Sequence, residues 1–359
     1  MDIRGLDAFG RFARNETTFV FDIPKIGIHE KFTGSTRDES MDEFVDWLKE
    51  NGKGTLSKLM RGFAEHTPND PVAGNPHSLM ANLVSTDFNR AFSADETSGI
   101  PADETTSEKP SSEKTTTTNS NLIALSPRFG SLRQGNLDST QITLPIAYTI
   151  RFNSDPRYQI NFSMPITWVE VDGANAYSTG LGVGFTFPVP YIDNWSLTPA
   201  VSYGGVGSVD LASLSQVISG SLTSIYTFKI GKYLLKLGNM GGYYRTMPFP
   251  YSVSGFDISS FDPGISNEVF RNGVMVGIPT ESVLKNTSVE LFVNDTRYFG
   301  DKLFIDNYQE FGFSYGFNKA YRKNLKDKVK NCLNDLRGGA SYLYSNESQG
   351  YSFNMGYTF

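Results

Sequence analysis

Residues 141–152 read QITLPIAYTIRF. Ile142, Leu144, Ile146, Tyr148, Ile150 and Phe152 occupy every second position, and Thr143, Pro145, Ala147, Thr149 and Arg151 lie between them. A period of two is the mark of an extended strand whose two faces meet different surroundings. The pattern recurs in YQINFSMPITW (158–168), YSTGLGVGFTF (177–187) and EFGFSYGF (310–317). About twelve such strands fill residues 121–359.

Three features turn the apolar face toward lipid rather than toward the core of a sandwich. The strands run to about 10–14 residues, which suits a tilted crossing of a bilayer core roughly 30 Å thick. The opposite face is Ser, Thr, Gly, Asn and Gln, which suits a wet or loosely filled lumen. Aromatics gather near strand ends, at Phe152 and Tyr158, Phe187 and Trp195, and Tyr226, Phe228 and Tyr233, where an interfacial girdle belongs. The links NSDPR, PVPYIDN, KIGK and TESVLKN are short and alternate with longer ones, the longest spanning 248–265. Short inner turns and longer outer loops are the barrel habit. The expected fold is therefore mainly β: an antiparallel up-and-down transmembrane barrel of about twelve strands.

Two other segments precede it. Residues 1–92 read as a mostly helical module. Ser40 and Glu43 have capping-box spacing, Gly52 is a plausible stop, and Leu79, Met80, Leu83, Val84 and Phe88 form a helical stripe. That stripe fits a small helical core or a helix docked inside or under the barrel, and TFVFDIPKIGIHEKF (18–32) fits one short strand broken by Pro24. Residues 93–120 are rich in Ser, Thr, Glu, Lys and Pro and read as a disordered linker. Within the barrel, the basic segment 318–338 reads as a helical connection on the inner side. It could serve as a contact for lipid headgroups or a protein partner.

The 359 residues carry a formal net charge of −6, which disfavours nucleic acid as a partner. A single cysteine, Cys332, forms no internal disulfide. No apolar run is long enough for a transmembrane helix, and MDIRGLDAFG lacks the core of a leader, so an exported form would be the mature one. No cofactor is implied. The three histidines, His29, His66 and His77, all precede the barrel and have no metal-ligand spacing. A barrel with no histidine of its own has no evident general base, unless one of these reaches it. An enzyme is therefore not expected. Asp257 and Asp262 in the longest loop are too few for a calcium site and read as turn residues.

The last nine residues, YSFNMGYTF, place Tyr351, Phe353, Met355, Tyr357 and Phe359 on one face. This strand resembles the C-terminal insertion signal of Gram-negative outer-membrane β-barrels, which ends aromatic-x-aromatic with a final Phe. Such signals often carry glycine where this chain has Asn354. Twelve strands after an N-terminal segment and linker also resemble autotransporter translocator barrels of the solitary kind. The resemblance covers about two thirds of the chain and implies a bacterial outer-membrane location. It also implies contact with lipid, lipopolysaccharide and the barrel-assembly machinery. Chain order suggests a translocator or scaffold whose tethered module plugs or caps the lumen, from the lumen or the periplasmic side. A narrow porin-like channel is the alternative, and a lipid-modifying enzyme the least favoured. Strand parity puts Arg151, Arg245, Arg271, Glu290 and Glu310 in the lumen, and makes Gly180, Gly182 and Gly184 a smooth inner stripe against which a plug could lie.

Overall fold

The computed structural model describes residues 2–50, 52–97, 121–135, 137–192, 194–211, 213–248, 262–280, 284, 287–317 and 336–358. The first thirty residues are sheet rather than helix. β1 (Asp2–Ile3) pairs with β2 (Leu6–Asp7), and β3 (Phe9–Phe12), β4 (Phe19–Ile23) and β5 (Ile28–Phe32) form a three-stranded antiparallel sheet. Pro24 ends β4 in a 3-10 turn, and Gly27 at φ 61 reverses the chain into β5, a conformation only glycine takes cheaply. So 18–32 is a hairpin, not one broken strand.

α1 spans Arg37–Glu50 and α2 spans Gly52–His66. The cap of α1 lies one turn earlier than the Ser40 spacing suggested. The Glu39 amide donates to Thr36 Oγ1 at 3.1 Å, and the Glu39 carboxylate accepts from the Ser35 amide at 2.7 Å. Ser40 is buried instead, and its Oγ accepts from the Gly34 amide. Gly52 opens α2 rather than ending α1. Phe44 and Trp47 of α1 pack on Phe32 of the sheet with ring centroids 5.4 Å apart in each case, which joins sheet and helices into one module. α3 runs Leu79–Thr97, five residues into the segment whose composition read as linker.

The barrel begins with β6 (Leu122–Leu125) and β7 (Arg128–Gln134), two halves of one strand. Pro127, which has no N–H, sits at the break. There follow β8 (Leu137–Arg151), β9 (Gln159–Val171), β10 (Ala174–Pro188), β11 (Trp195–Ser208), β12 (Ser213–Ile230) and β13 (Tyr233–Met247). The rest are β14 (Ser266–Pro279), β15 (Thr287–Gly300), β16 (Asn307–Phe317), β17 (Leu336–Tyr344) and β18 (Ser348–Thr358). Each pairs antiparallel with the next, and β18 pairs with β17 on one side and with β6 and β7 on the other, so the sheet closes. Twelve strands result, with no free edge to satisfy in lipid. The basic segment 318–338 lies outside the described residues as far as 335, and Leu336, Arg337 and Gly338 are already strand β17.

β8 through β15 have 13 to 18 residues, ample at ~3.3 Å per residue for a tilted span. Their outward side chains are apolar and bare. Leu181 is 62%, Val201 60% and Phe353 63% exposed, a continuous surface that water would penalise and hydrocarbon accepts. Phe152, Tyr158, Phe185 and Phe187 pack edge to face or tilted at one rim, the expected girdle. We call that rim, where β6 starts and β18 ends, the near mouth. The far mouth carries the turns at 135, 172–173, 210–211, 300–306 and 345–347. Asp172 and Gly173, both at positive φ, make the tight two-residue turn between β9 and β10.

Candidate functional site: the occupied lumen

α3 lies inside the barrel. It packs against β9, β10, β11, β12 and β13, and its stripe Leu79, Met80, Leu83, Val84 and Phe88 is buried there together with Val206, Val217, Met240 and Val269. The inner wall is thus not uniformly polar: part of the surface the helix touches is apolar. The helix fits because that wall is cut down to glycine. A Cβ on Gly182 would come within 1.9 Å of Arg90 Nη2, one on Gly180 within 2.9 Å of Leu83 Cδ2, and one on Gly184 within 3.0 Å of Arg90 Cδ. Gly204, Gly238 and Gly273 stand equally close to Leu79, Phe92 and Phe88. Small residues let backbone and side chain approach where a larger wall would clash.

One buried ion pair fixes the register of the helix. Asp87 and Arg90, one helical turn apart, pair at 3.0 Å with side chains 0% and 2% exposed. Arg90 Nη2 donates to Ser163 Oγ at 2.6 Å and to Ser202 Oγ at 3.1 Å. Asp87 accepts from Ser202 Oγ at 2.5 Å, Tyr244 Oη at 2.8 Å and Ser219 Oγ at 3.3 Å. Strands β9, β11, β12 and β13 therefore all bond to two adjacent helical positions, and the Asp87 carboxylate is well supplied with donors, while Arg90 Nη1 is buried without a hydrogen-bond partner.

The far mouth is covered by the N-terminal module. The Phe304 amide donates to Ala64 O at 2.8 Å and the Ile305 amide to Gly74 O at 3.0 Å. Arg61 pairs with Asp301. Arg4 donates to Leu211 O at 3.0 Å and to Asp70 Oδ1 at 3.1 Å, and Asp70 also accepts from the amides of Val72 and Ala73. Burial pushes the Asp70 carboxyl up and the Arg4 guanidinium down, against their mutual attraction. His77 does reach the barrel: its Nδ1 lies 3.0 Å from Ser139 Oγ. Burial, then the charge of Arg128, pushes its pKa down to about 3. Ser139 is itself buried and also donates to Leu132 O. Among the described residues no carboxylate bonds to His77, so the pair lacks the orienting third member that nucleophilic sites use.

Opposite the glycine wall the lumen stays open. A chamber of about 330 Å³ lies between the polar face of α3 (Asn82, Ser85, Thr86 and Asn89) and β15, β16, β17 and the β6–β8 wall. It meets a crevice of about 50 Å³ toward the far mouth, and Asn82, Ser85, Arg128 and Glu310 line both. Two ion pairs cross its wall. Arg271 donates to Glu310 at 2.9 Å and to Thr296 at 2.6 Å, and Arg337 meets Glu290 at 3.0 Å, with Ser314 on the same carboxylate.

Of the charges that parity put in the lumen, Arg271, Glu290 and Glu310 line it, and Arg151 stands at the near-mouth end of β8 beside buried Gln159. Arg245 does not: it is exposed on the outer face, and Tyr244 and Thr246 point inward. Tyr351, Phe353 and Met355 face outward. Tyr357 continues the ladder opposite Leu336 and Leu125, and Phe359 lies outside the described residues. Asp262 accepts from Thr246 Oγ1 and from the Gly264 amide, a turn role, and Asp257 lies outside the described residues. Asp87, Arg90, Arg128 and Arg337 escaped the sequence reading. Asp87 and Arg90 continue the Leu83 stripe at spacings of four and seven, and charge on an apolar stripe was the available signal.

Together these features give the chain the architecture of an outer-membrane β-barrel with an occupied pore. No family profile matches the sequence, and comparison with curated proteins finds no relative. Solved structures of translocators and of channels resemble it. The β domain of the Bordetella autotransporter BrkA is 13% identical, with TM-score 0.46, over 67% of this chain and 98% of that one. The translocator domain of NalP from Neisseria meningitidis is 10% identical, with TM-score 0.44, over 67% and 88%. An outer-membrane channel from Pseudomonas putida is 10% identical, with TM-score 0.43, over 70% and 100%. Such scores carry no chemistry from those proteins to this chain.

Proposed function

We propose that the chain is a bacterial outer-membrane barrel of the translocator type that carries its own N-terminal module to the cell surface and holds it there as a cap. One observation supports this most: the path of α3. Its first residue is at the far mouth, against Gly204, and Phe92 is toward the near mouth, against Gly238. The polypeptide thus passes once through its own pore before β6 begins. With the C-terminal strand ending at the periplasmic rim, as its aromatic pattern and the mostly short near-mouth turns suggest, the module stands outside. This placement differs from the sequence-based expectation of a module in the periplasm or within the lumen. The function is display and capping rather than catalysis.

The test is an epitope tag before Asp2 in intact cells. Labelling by antibody without permeabilisation, and removal of the tag by added protease, are expected. A tag reached only after the outer membrane is opened would overturn the reading.

A further inference from the structure

Seen as electrostatics, the free half of the lumen is unbalanced. Arg90 is matched by Asp87, Arg271 by Glu310 and Arg337 by Glu290. Among the described residues Arg128 has no ion-pair partner, although it is close enough to Glu310 and His77 to interact with both electrostatically. It sits where the 330 Å³ chamber narrows to the 50 Å³ crevice. The chamber has room for on the order of ten waters, and Ser85, Asn89, Ser314 and Asn354 put polar groups along its lining. Among the described residues that line chamber and crevice, Arg90, Arg128, Arg271 and Arg337 face Glu290 and Glu310, and with Asp87 counted against Arg90 one positive charge is in excess, in a low-dielectric lumen that focuses its field.

We propose that chamber and crevice form an anion-preferring ion path beside α3, with Arg128 as the residue that sets its selectivity. The ligands are small monovalent anions of chloride or formate size, since the crevice excludes larger solutes. Arg128 attracts the ion at the narrowing and is not sequestered by a carboxylate, so the ion can enter and leave, as conduction requires. The pairs at Glu290 and Glu310 cancel the charges that would otherwise favour cations. The path is independent of which side the cap faces.

Full-length protein refolded into planar bilayers, under a potassium chloride gradient, tests this. A small conductance is expected, with a reversal potential on the chloride side. Arg128→Lys keeps that sign, Arg128→Gln brings the potential toward zero and Arg128→Glu reverses it. Arg128→Cys supplies a second route that needs no new fold: a cationic methanethiosulfonate reagent restores chloride preference and an anionic one inverts it. Absence of conductance from folded protein would overturn the proposal. So would chloride preference that survives both Arg128→Glu and the anionic reagent.

Discussion

Gly182→Val is the most direct perturbation of the plug. The new Cβ would lie 1.9 Å from Arg90 Nη2 and 2.5 Å from Ser202 Oγ, so the guanidinium must leave its place. It then loses Ser163, Ser202 and the pairing with Asp87, and Asp87 keeps only its hydroxyl donors. Breaking a buried pair in this way costs about 3–5 kcal/mol, which at 1.36 kcal/mol per decade is roughly 10²–10⁴ in the equilibrium for helix release. Hydrogen exchange of refolded protein reads this directly: amides 80–92 lose protection by that factor, and β14–β18 keep theirs. Gly220→Val, with nothing within 4 Å of the new Cβ, is the matched control. Unchanged α3 protection in folded Gly182→Val would mean that the glycine wall does not seat the helix.

Tyr244→Phe removes one hydrogen bond to buried Asp87 and should lower α3 protection by about 1.5–3 kcal/mol, without the larger loss of Gly182→Val. Phe353→Arg, at mid-strand on the lipid face, should cost about 2–4 kcal/mol in urea titrations of vesicle-folded barrel; a neutral result would contradict a lipid-facing surface there. Deletion of Phe359 should reduce barrel assembled in the outer membrane in cell fractionation, and normal levels would show that the terminal residue is dispensable. The seat at His77 should loosen on acidification. Its folded pKa of about 3 lies below the ordinary 6.5, so its contribution is full above about pH 6.5 and falls below it by up to about 1.4 kcal/mol per pH unit. Protection of amides 77–80 between about pH 7.5 and 5.5 should show this slope, and His77→Gln should flatten it.

The barrel was legible because lipid and lumen impose opposite demands on neighbouring residues, and a strand such as 141–152 records them in alternation. The interior was less legible because its demands come from a helix more than eighty residues away in some pairs. Gly180, Gly182 and Gly184 showed that something could lie on the wall, but not that Arg90 lies there. Arg245 was misplaced because Tyr243 and Tyr244 adjoin it and blur which parity faces out. The first thirty residues are short strands that complete their hydrogen bonds within a small sheet, and five-residue runs leave little periodicity to read. Ser40 carried a capping pattern one turn inside the true start, since Thr36 and Glu39 repeat the same spacing.

The order of parts along the lumen also has a mechanical meaning. A sheet and two helices stand on one side of the pore, tied to its rim at Asp301, Phe304 and Ile305, and the chain continues through the pore to the other side. The free space beside α3 is about 330 Å³, far too small for the folded module. Tension on the end of α3 from the near side would draw the cap harder onto its seat. Traction on the cap from the far side would load the rim contacts first, and then the sockets of Asp87 and Arg90. The assembly is a stop that holds against force in one direction and releases under force in the other.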